Sequence, residues 1–234
     1  MRYLTTFRSY LVWPVSTLSL CGCTIASTTG VGSDEGWIEA FAFAYTAAIL
    51  ATDESDQTAT LPTSGTATYT GGMYLDMTRP GAKDHDLMLA SMTLEAAFSA
   101  SSGTISGRVE NAGRIPVYDP KFAGFESLLT DRTLTPEEAK TTAVEATNAD
   151  ALAILNGALE IAETTITDQH INTRLSGNLT GDDTDIDIDA PIYGFLTGAD
   201  ADGVRITGTN FGNIEMTLNG DKIDAYLNGY AKRD

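Results

Sequence analysis

Residues 171–212 read INTRLSGNLTGDDTDIDIDAPIYGFLTGADADGVRITGTNFG. Apolar and polar residues alternate along this stretch, and glycines interrupt it at short intervals. Alternation with period two places one apolar face on a sheet, and the glycines supply tight turns, so the stretch predicts consecutive antiparallel strands. Asn219-Gly220, between Ile214–Leu218 and Ile223–Tyr230, is a two-residue hairpin turn of the same kind.

Working outward, the same pattern returns in the N-terminal half. Leu61–Met77 predicts a strand, a kink or turn at Gly71-Gly72, and a second strand. Leu87–Ser99, the turn Ser101-Ser102-Gly103 and Thr104–Asn111 predict a hairpin. The stretch Ala112–Gly157 breaks the pattern. In it, Thr135-Pro136-Glu137-Glu138 is a helix start with Thr as cap, Pro at the first helical position and Glu at the third. That helix is expected to run to about Thr147, with a second short one over Asp150–Asn156 ended by Gly157. Ala158–Ile166 reads as a strand, with a helical continuation as the competing reading. Trp37–Leu50 is either a short helix lying on the fold or an edge strand. The expected fold is all-β: a small antiparallel up-and-down barrel of about eight strands with a short helical insertion at 112–157, enough strands to leave no free edge.

The N-terminus predicts the compartment. Arg2 and Arg8 precede an apolar run from Tyr10 to Leu20, too short to span a bilayer comfortably. Leu20-Cys21-Gly22-Cys23 resembles a bacterial lipobox, which implies cleavage before Cys23 and acylation of its thiol; an ordinary signal peptide cut near Ala26 is the alternative. Thr24 after the acylated cysteine resembles the outer-membrane class of lipoproteins. Three regions follow: residues 1–22 as signal peptide, 23–60 as lipid-anchored tether and N-terminal segment, and 61–234 as the barrel. Cys21 and Cys23 are the two cysteines of the chain, so the mature protein has no thiol pair for a disulfide or a cysteine-based metal site.

Composition excludes further classes. With 32 acidic against 14 basic residues and a formal charge of −18, the chain lacks the Lys and Arg that nucleic acid or an anionic bilayer surface would require. Gly103-Thr104-Ile105-Ser106-Gly107 is not a nucleophile elbow, because Ser106 falls one place late. Asp185, Asp187 and Asp189 share one strand face. They do not follow a calcium loop, with Ala190 and Leu196 where Gly and Glu belong, and read as the wet face of a half-buried strand. His85 and His170 are the two histidines, each in a polar turn; either could ligate haem iron, and neither has zinc-site spacing around it. Tyr118, Phe122 and Phe125 are expected to pack on the barrel end.

Three pieces together resemble the β-barrel domain of transferrin-binding protein B-like lipoproteins. They are Gly65-Thr66-Ala67-Thr68-Tyr69-Thr70-Gly71, then Met92–Gly107 with Phe98 before the turn, then Gly194-Phe195-Leu196-Thr197-Gly198 followed by Ala201 and Gly208-Thr209. The resemblance implies an eight-stranded barrel on an acylated N-terminus in a Gram-negative outer membrane, facing the periplasm or the surface. It also implies binding rather than catalysis, since relatives take host transferrin, complement factor H or haem. No binding residue carries over, because the family's binding surfaces lie in variable loops. The expected function is therefore a non-enzymatic envelope lipoprotein that captures a nutrient, haem or another iron source. Its partners would be the membrane, through its anchor, and an unidentified protein or small molecule. Two alternatives stand beside it: a structural or adhesive protein displaying loops, and a carrier of a small apolar molecule inside the barrel. Tyr69, Phe98, Leu175 and Phe195 filling the interior would count against the carrier.

Overall fold

The computed structural model describes residues 34–52, 61–79, 85–100, 102–117, 132–146, 152–208 and 213–234. The signal peptide, Cys23, most of the tether and Tyr118, Phe122 and Phe125 lie outside these residues. The elements are α1 (Asp34–Ala51), β1 (Gly65–Thr78), β2 (His85–Ser99), β3 (Ser102–Val117), α2 (Pro136–Ala146), β4 (Ala153–Ile166), β5 (His170–Gly181), β6 (Thr184–Thr197), β7 (Gly203–Gly208), β8 (Asn213–Leu218) and β9 (Asp221–Arg233). All strand pairings are antiparallel. Each strand pairs with the next from β1 to β7, and β9 pairs back to β1, which closes the sheet. The short strands β7 and β8 both sit between β6 and β9, one against each half of those strands. They act as one interrupted stave, so the barrel has eight strand positions, as expected from the sequence.

The interior is packed with side chains from every strand. Alternation is strict on β6, where Ile186, Ile188, Ala190, Ile192 and Leu196 point inward. Parity therefore turns Tyr193 and Phe195 outward. Of the four residues whose inward placement would count against a carrier, Tyr69, Phe98 and Leu175 fill the barrel and Phe195 does not.

β1 differs from its expected form. It is one continuous strand, and Gly71-Gly72 is neither a kink nor a turn. The glycines serve close approach instead. A Cβ on Gly71 would lie 2.0 Å from the Tyr230 carbonyl oxygen on β9, and one on Gly72 would lie 3.0 Å from the Phe41 ring and 3.1 Å from the Tyr45 ring of α1. The expected insertion is also shorter than 112–157. β3 runs on to Val117 and β4 starts at Ala153, because Ala112, Gly113 and Arg114 pair with Leu155, Ile154 and Ala153. Ala153–Asn156 are thus strand, not a second helix. Gly157, with φ +111°, lies where the register shifts between Val109 and Ala112, and it marks a bulge rather than a helix end. Ser102 and Gly103 likewise already belong to β3.

Trp37–Leu50 resolves as helix. Its aromatic residues at i, i+4 spacing stack along one side: Trp37 on Phe41 at 6.1 Å between ring centroids, and Phe41 on Tyr45 at 5.4 Å. That side lies on the outer wall of β1, β2, β3 and β9, where Tyr74, Leu87, Leu89, Ile115 and Tyr230 complete a second apolar cluster. α2 starts as the sequence predicts. The Thr135 hydroxyl accepts from the Glu138 N–H at 3.3 Å, and the Glu138 carboxylate accepts from the Thr135 N–H at 2.9 Å. These bonds hold the Glu138 carboxyl below its ordinary value. Ala139 and Ala143 face the second cluster.

Each mouth of the barrel has its own closure. At the mouth where α1 begins, here the lower mouth, Arg114 reaches from β3 to Asp86 on β2 at 2.7 Å and donates to the Thr184 hydroxyl on β6 at 2.8 Å. At the upper mouth, where α1 ends, the Tyr69 hydroxyl donates to the Ala201 carbonyl at 2.8 Å.

Candidate functional site: the outer wall beside helix α1

Among the described residues the interior is filled by side chains. Tyr69, Met73, Leu75, Leu94, Leu159, Leu175, Ile186, Val204, Ile206 and Leu227 are each 0% exposed, so neither solvent nor a water-sized void borders them. A carrier of a small apolar molecule would need a cavity lined by those residues, and their burial speaks against that alternative. A depression of about 590 Å³ lies at the upper rim, bordered by Leu61, Pro62, Asp200, Asp202 and Arg233.

The outer wall of β5, β6, β7 and β9 carries a different surface. Cross-strand register sets His170 opposite Phe195, Phe195 opposite Arg205, and Arg205 opposite Tyr230, so the four side chains form one row across the strands. A second row sets Asn172 opposite Tyr193, Tyr193 opposite Thr207, and Thr207 opposite Asn228. Side chains on one sheet face two residues apart along a strand lie within reach of each other. Hence Tyr193 meets Phe195 at 6.4 Å between centroids and His170 at 5.5 Å. The Arg205 guanidinium lies between two rings, 5.9 Å from Phe195 and 5.5 Å from Tyr230. Tyr230 in turn meets Tyr45 of α1 edge to face at 5.6 Å, so the row ends against the helix. His170, Tyr193 and Phe195 are half-buried: they are neither core nor fully solvated.

His170 is therefore not the turn residue expected from sequence. It is the first residue of β5, and its Nδ1 is hydrogen-bonded to the Tyr193 hydroxyl. A ring nitrogen engaged in this way fixes the imidazole's orientation and leaves Nε2 as the second polar atom of the ring. His85 opens β2 at the lower mouth, at the opposite end of the barrel, and its side chain lies outside the described residues. The structure does not bring the two histidines together. The sequence reading named His170 but missed Tyr193, whose role depends on register between β5 and β6.

The other half of β6 is the acidic face expected. Asp185, Asp187 and Asp189 alternate with buried Ile186, Ile188 and Ala190. Arg174 Nη2 pairs with Asp189 Oδ1 at 2.6 Å, and Asn178 Nδ2 donates to Asp185 Oδ1 at 2.6 Å. These contacts are side-chain pairs across β5 and β6. Among the described residues, no three His, Cys, Asp or Glu side chains come together as a metal site would need. No described helix is long and apolar enough to cross a membrane.

No protein-family model and no curated protein matches this sequence. Two solved structures are similar over 76% of the chain. One is the vaccine antigen transferrin-binding protein B, in a mutant form, from Actinobacillus pleuropneumoniae, with 10% identity and a TM-score of 0.33. The other is described as a surface lipoprotein, also with 10% identity and a TM-score of 0.33. The similarity covers less than two-thirds of each of those chains, 66% and 65%.

Proposed function

We propose that this chain is a non-enzymatic, lipid-anchored protein of the bacterial outer membrane whose barrel binds its ligand on the outer wall. The filled interior carries the second half of that reading, because it leaves the outer surface as the place to bind. The lipobox at Leu20–Cys23 supports the first half. Capture of haem is the version that the outer wall favours. His170 stands half-buried with its orientation held by Tyr193, and Phe195 beside them offers an aromatic face. Titrating the full-length protein with haem tests it: a saturable shift of the Soret band at one equivalent, lost in His170→Ala and kept in His85→Ala, is expected. A response that survives His170→Ala would rule His170 out as the ligand, and no saturable response would rule out haem.

Display to a protein partner is the second reading. Phe43 and Leu50 favour it, being 41% and 46% exposed one above the other on the outer side of α1. Crosslinking in envelope extracts, compared between the wild type and a Phe43→Ser, Leu50→Ser double variant, separates the two. A specific adduct lost in the double variant supports display.

A further inference from the structure

Acidic side chains crowd this protein but stop short of one patch. The chain carries 32 acidic residues, and Asp185, Asp187 and Asp189 line the outer face of the lower half of β6. Above Pro191 the same face changes character. The two rows across β5, β6, β7 and β9 hold eight side chains, and none of the eight is a carboxylate. Arg205 is the permanent cation among them. Its guanidinium lies 5.9 Å from the centre of the Phe195 ring and 5.5 Å from that of Tyr230. Flanking rings hold a guanidinium in place and leave its charge intact.

The patch is reachable and broad. His170, Asn172, Tyr193, Phe195, Arg205 and Thr207 are all partly or fully open to solvent, while Tyr230 is buried and backs Arg205 from the α1 side. His170 and Arg205 stand in one row with Phe195 between them. Two strand spacings, about 10 Å, therefore separate their backbones. A molecule that touches both side chains must have a ring system of that breadth, and a single small ring falls short.

We infer that the ligand of this wall is a flat, broad ring system bearing a carboxylate, and that Arg205 takes the carboxylate. This deepens, and rests on, the reading that the ligand binds on the outer wall. The ring system lies over Phe195, and its acid group accepts from the guanidinium. Arginine suits the task because its planar fork matches a carboxylate with two parallel hydrogen bonds. A guanidinium carries five N–H donors, so contact with two rings leaves donors for an acid. The absence of acidic side chains from the two rows spares the incoming carboxylate like-charge repulsion at close range. In the haem version, the iron meets His170 and the acid side chains of the tetrapyrrole meet Arg205. A neutral planar molecule gains nothing from Arg205, and an organic cation is repelled by it.

Metal-free protoporphyrin and its dimethyl ester share one ring and differ in charge, so the pair separates Arg205 from any iron ligation. Each is titrated into the full-length protein in the same dilute detergent and followed by porphyrin fluorescence. The wild type is expected to bind the diacid about tenfold tighter than the diester. Arg205→Gln should bring the diacid down to the affinity of the diester and leave the diester unchanged. Arg205→Lys keeps the charge but loses the fork, and should fall between the two. Added salt should weaken binding of the diacid alone. Equal affinities in the wild type would overturn the inference without recourse to any variant. A diacid preference that survives Arg205→Gln would overturn the role of Arg205. A diacid preference lost in Arg205→Gln, in a protein that gives no Soret shift with haem, would support the inference and remove the iron. Binding of neither porphyrin would overturn the inference, and a haem response that remained would leave the outer-wall reading standing.

Discussion

Tyr69 on β1 and Ala201 in the β6–β7 turn stand 132 residues apart in sequence, and one hydrogen bond of 2.8 Å joins them across the upper mouth. Ala201 adopts a left-handed backbone conformation, φ +55°, which places its carbonyl over the ring hydroxyl. The phenol is buried, and burial pushes its pKa up to about 12, with Asp202 adding to the rise and Arg233 opposing it. In the unfolded chain a tyrosine ionises near pH 10, so the folded state holds this proton more tightly. The stabilisation is fully present below pH 10 and is lost as pH rises from there toward 12. Two units correspond to about 2 to 3 kcal/mol at the limit. Tyr45, on the buried side of α1, shifts in the same direction, mainly through desolvation, and adds to the loss. Urea unfolding between pH 8 and pH 11 should show midpoints flat below pH 10 and falling above it. Tyr69→Phe should lose about 1 kcal/mol at pH 8 and flatten the alkaline decline. An unchanged alkaline slope in that variant would contradict the assignment.

The lower mouth makes a complementary prediction. Arg114 and Asp86 are 17% and 16% exposed, and Arg114 also reaches Thr184 three staves away. Removing one partner leaves the other charge in a poorly solvated mouth. Arg114→Met and Asp86→Asn should each cost about 2 to 3 kcal/mol, somewhat below a fully buried pair. The double variant should cost less than the sum of the two, because neither then strands a charge. Additive losses would show that the two side chains do not depend on each other. Denaturant midpoints for the four proteins give the cycle.

Gly71 and Gly72 separate two consequences of the same strand. A methyl group on Gly71 meets the backbone of Tyr230 and Ala231, which cannot move without opening the β1–β9 seam. One on Gly72 meets the rings of Phe41 and Tyr45, which can tilt. Gly71→Ala should therefore cost about 3 kcal/mol and Gly72→Ala about 1 kcal/mol. The second variant should loosen α1 first, seen as faster amide exchange in Phe41–Ile49 with the strands still protected. Equal costs would mean that helix and seam yield together.

These two glycines also show where sequence reading stops. Alternation on β6 and the Asn219-Gly220 turn are local signals, and both led to the observed elements. The start of α2 is local too, through Thr135, Pro136 and Glu138. The glycine pair reads locally as a turn, yet its cause lies 159 positions away for Gly71 and Tyr230, in the strand that closes the barrel. The start of β4 was hidden for the same reason: Ala153–Leu155 is short, apolar and helix-compatible until it pairs with Ala112–Arg114. The candidate site was half legible. His170 stood out as one of two histidines, but Tyr193, Phe195, Arg205 and Tyr230 become neighbours only through register across four strands.

The hairpin turn Asn219-Gly220 does more than reverse the chain. Asn219 at φ +55° and Gly220 at φ +81° form the turn that a twisted hairpin favours. Asn219 then clasps the neighbouring β5–β6 hairpin. Its Oδ1 accepts from the Asp185 N–H at 2.7 Å, its Nδ2 donates to the Asp183 carbonyl at 3.0 Å, and its own N–H donates to the Asp185 carbonyl at 2.7 Å. Three variants divide these roles. Gly220→Ala keeps the clasp and strains the turn, at about 1 kcal/mol. Asn219→Gly keeps the backbone geometry and removes two side-chain bonds, at about 1 to 2 kcal/mol. Asn219→Ala does both and should be the least stable of the three. Amide exchange at Asp185 should accelerate in both Asn219 variants and stay slow in Gly220→Ala. Acceleration in all three alike would mean that the turn, rather than the clasp, protects the start of β6.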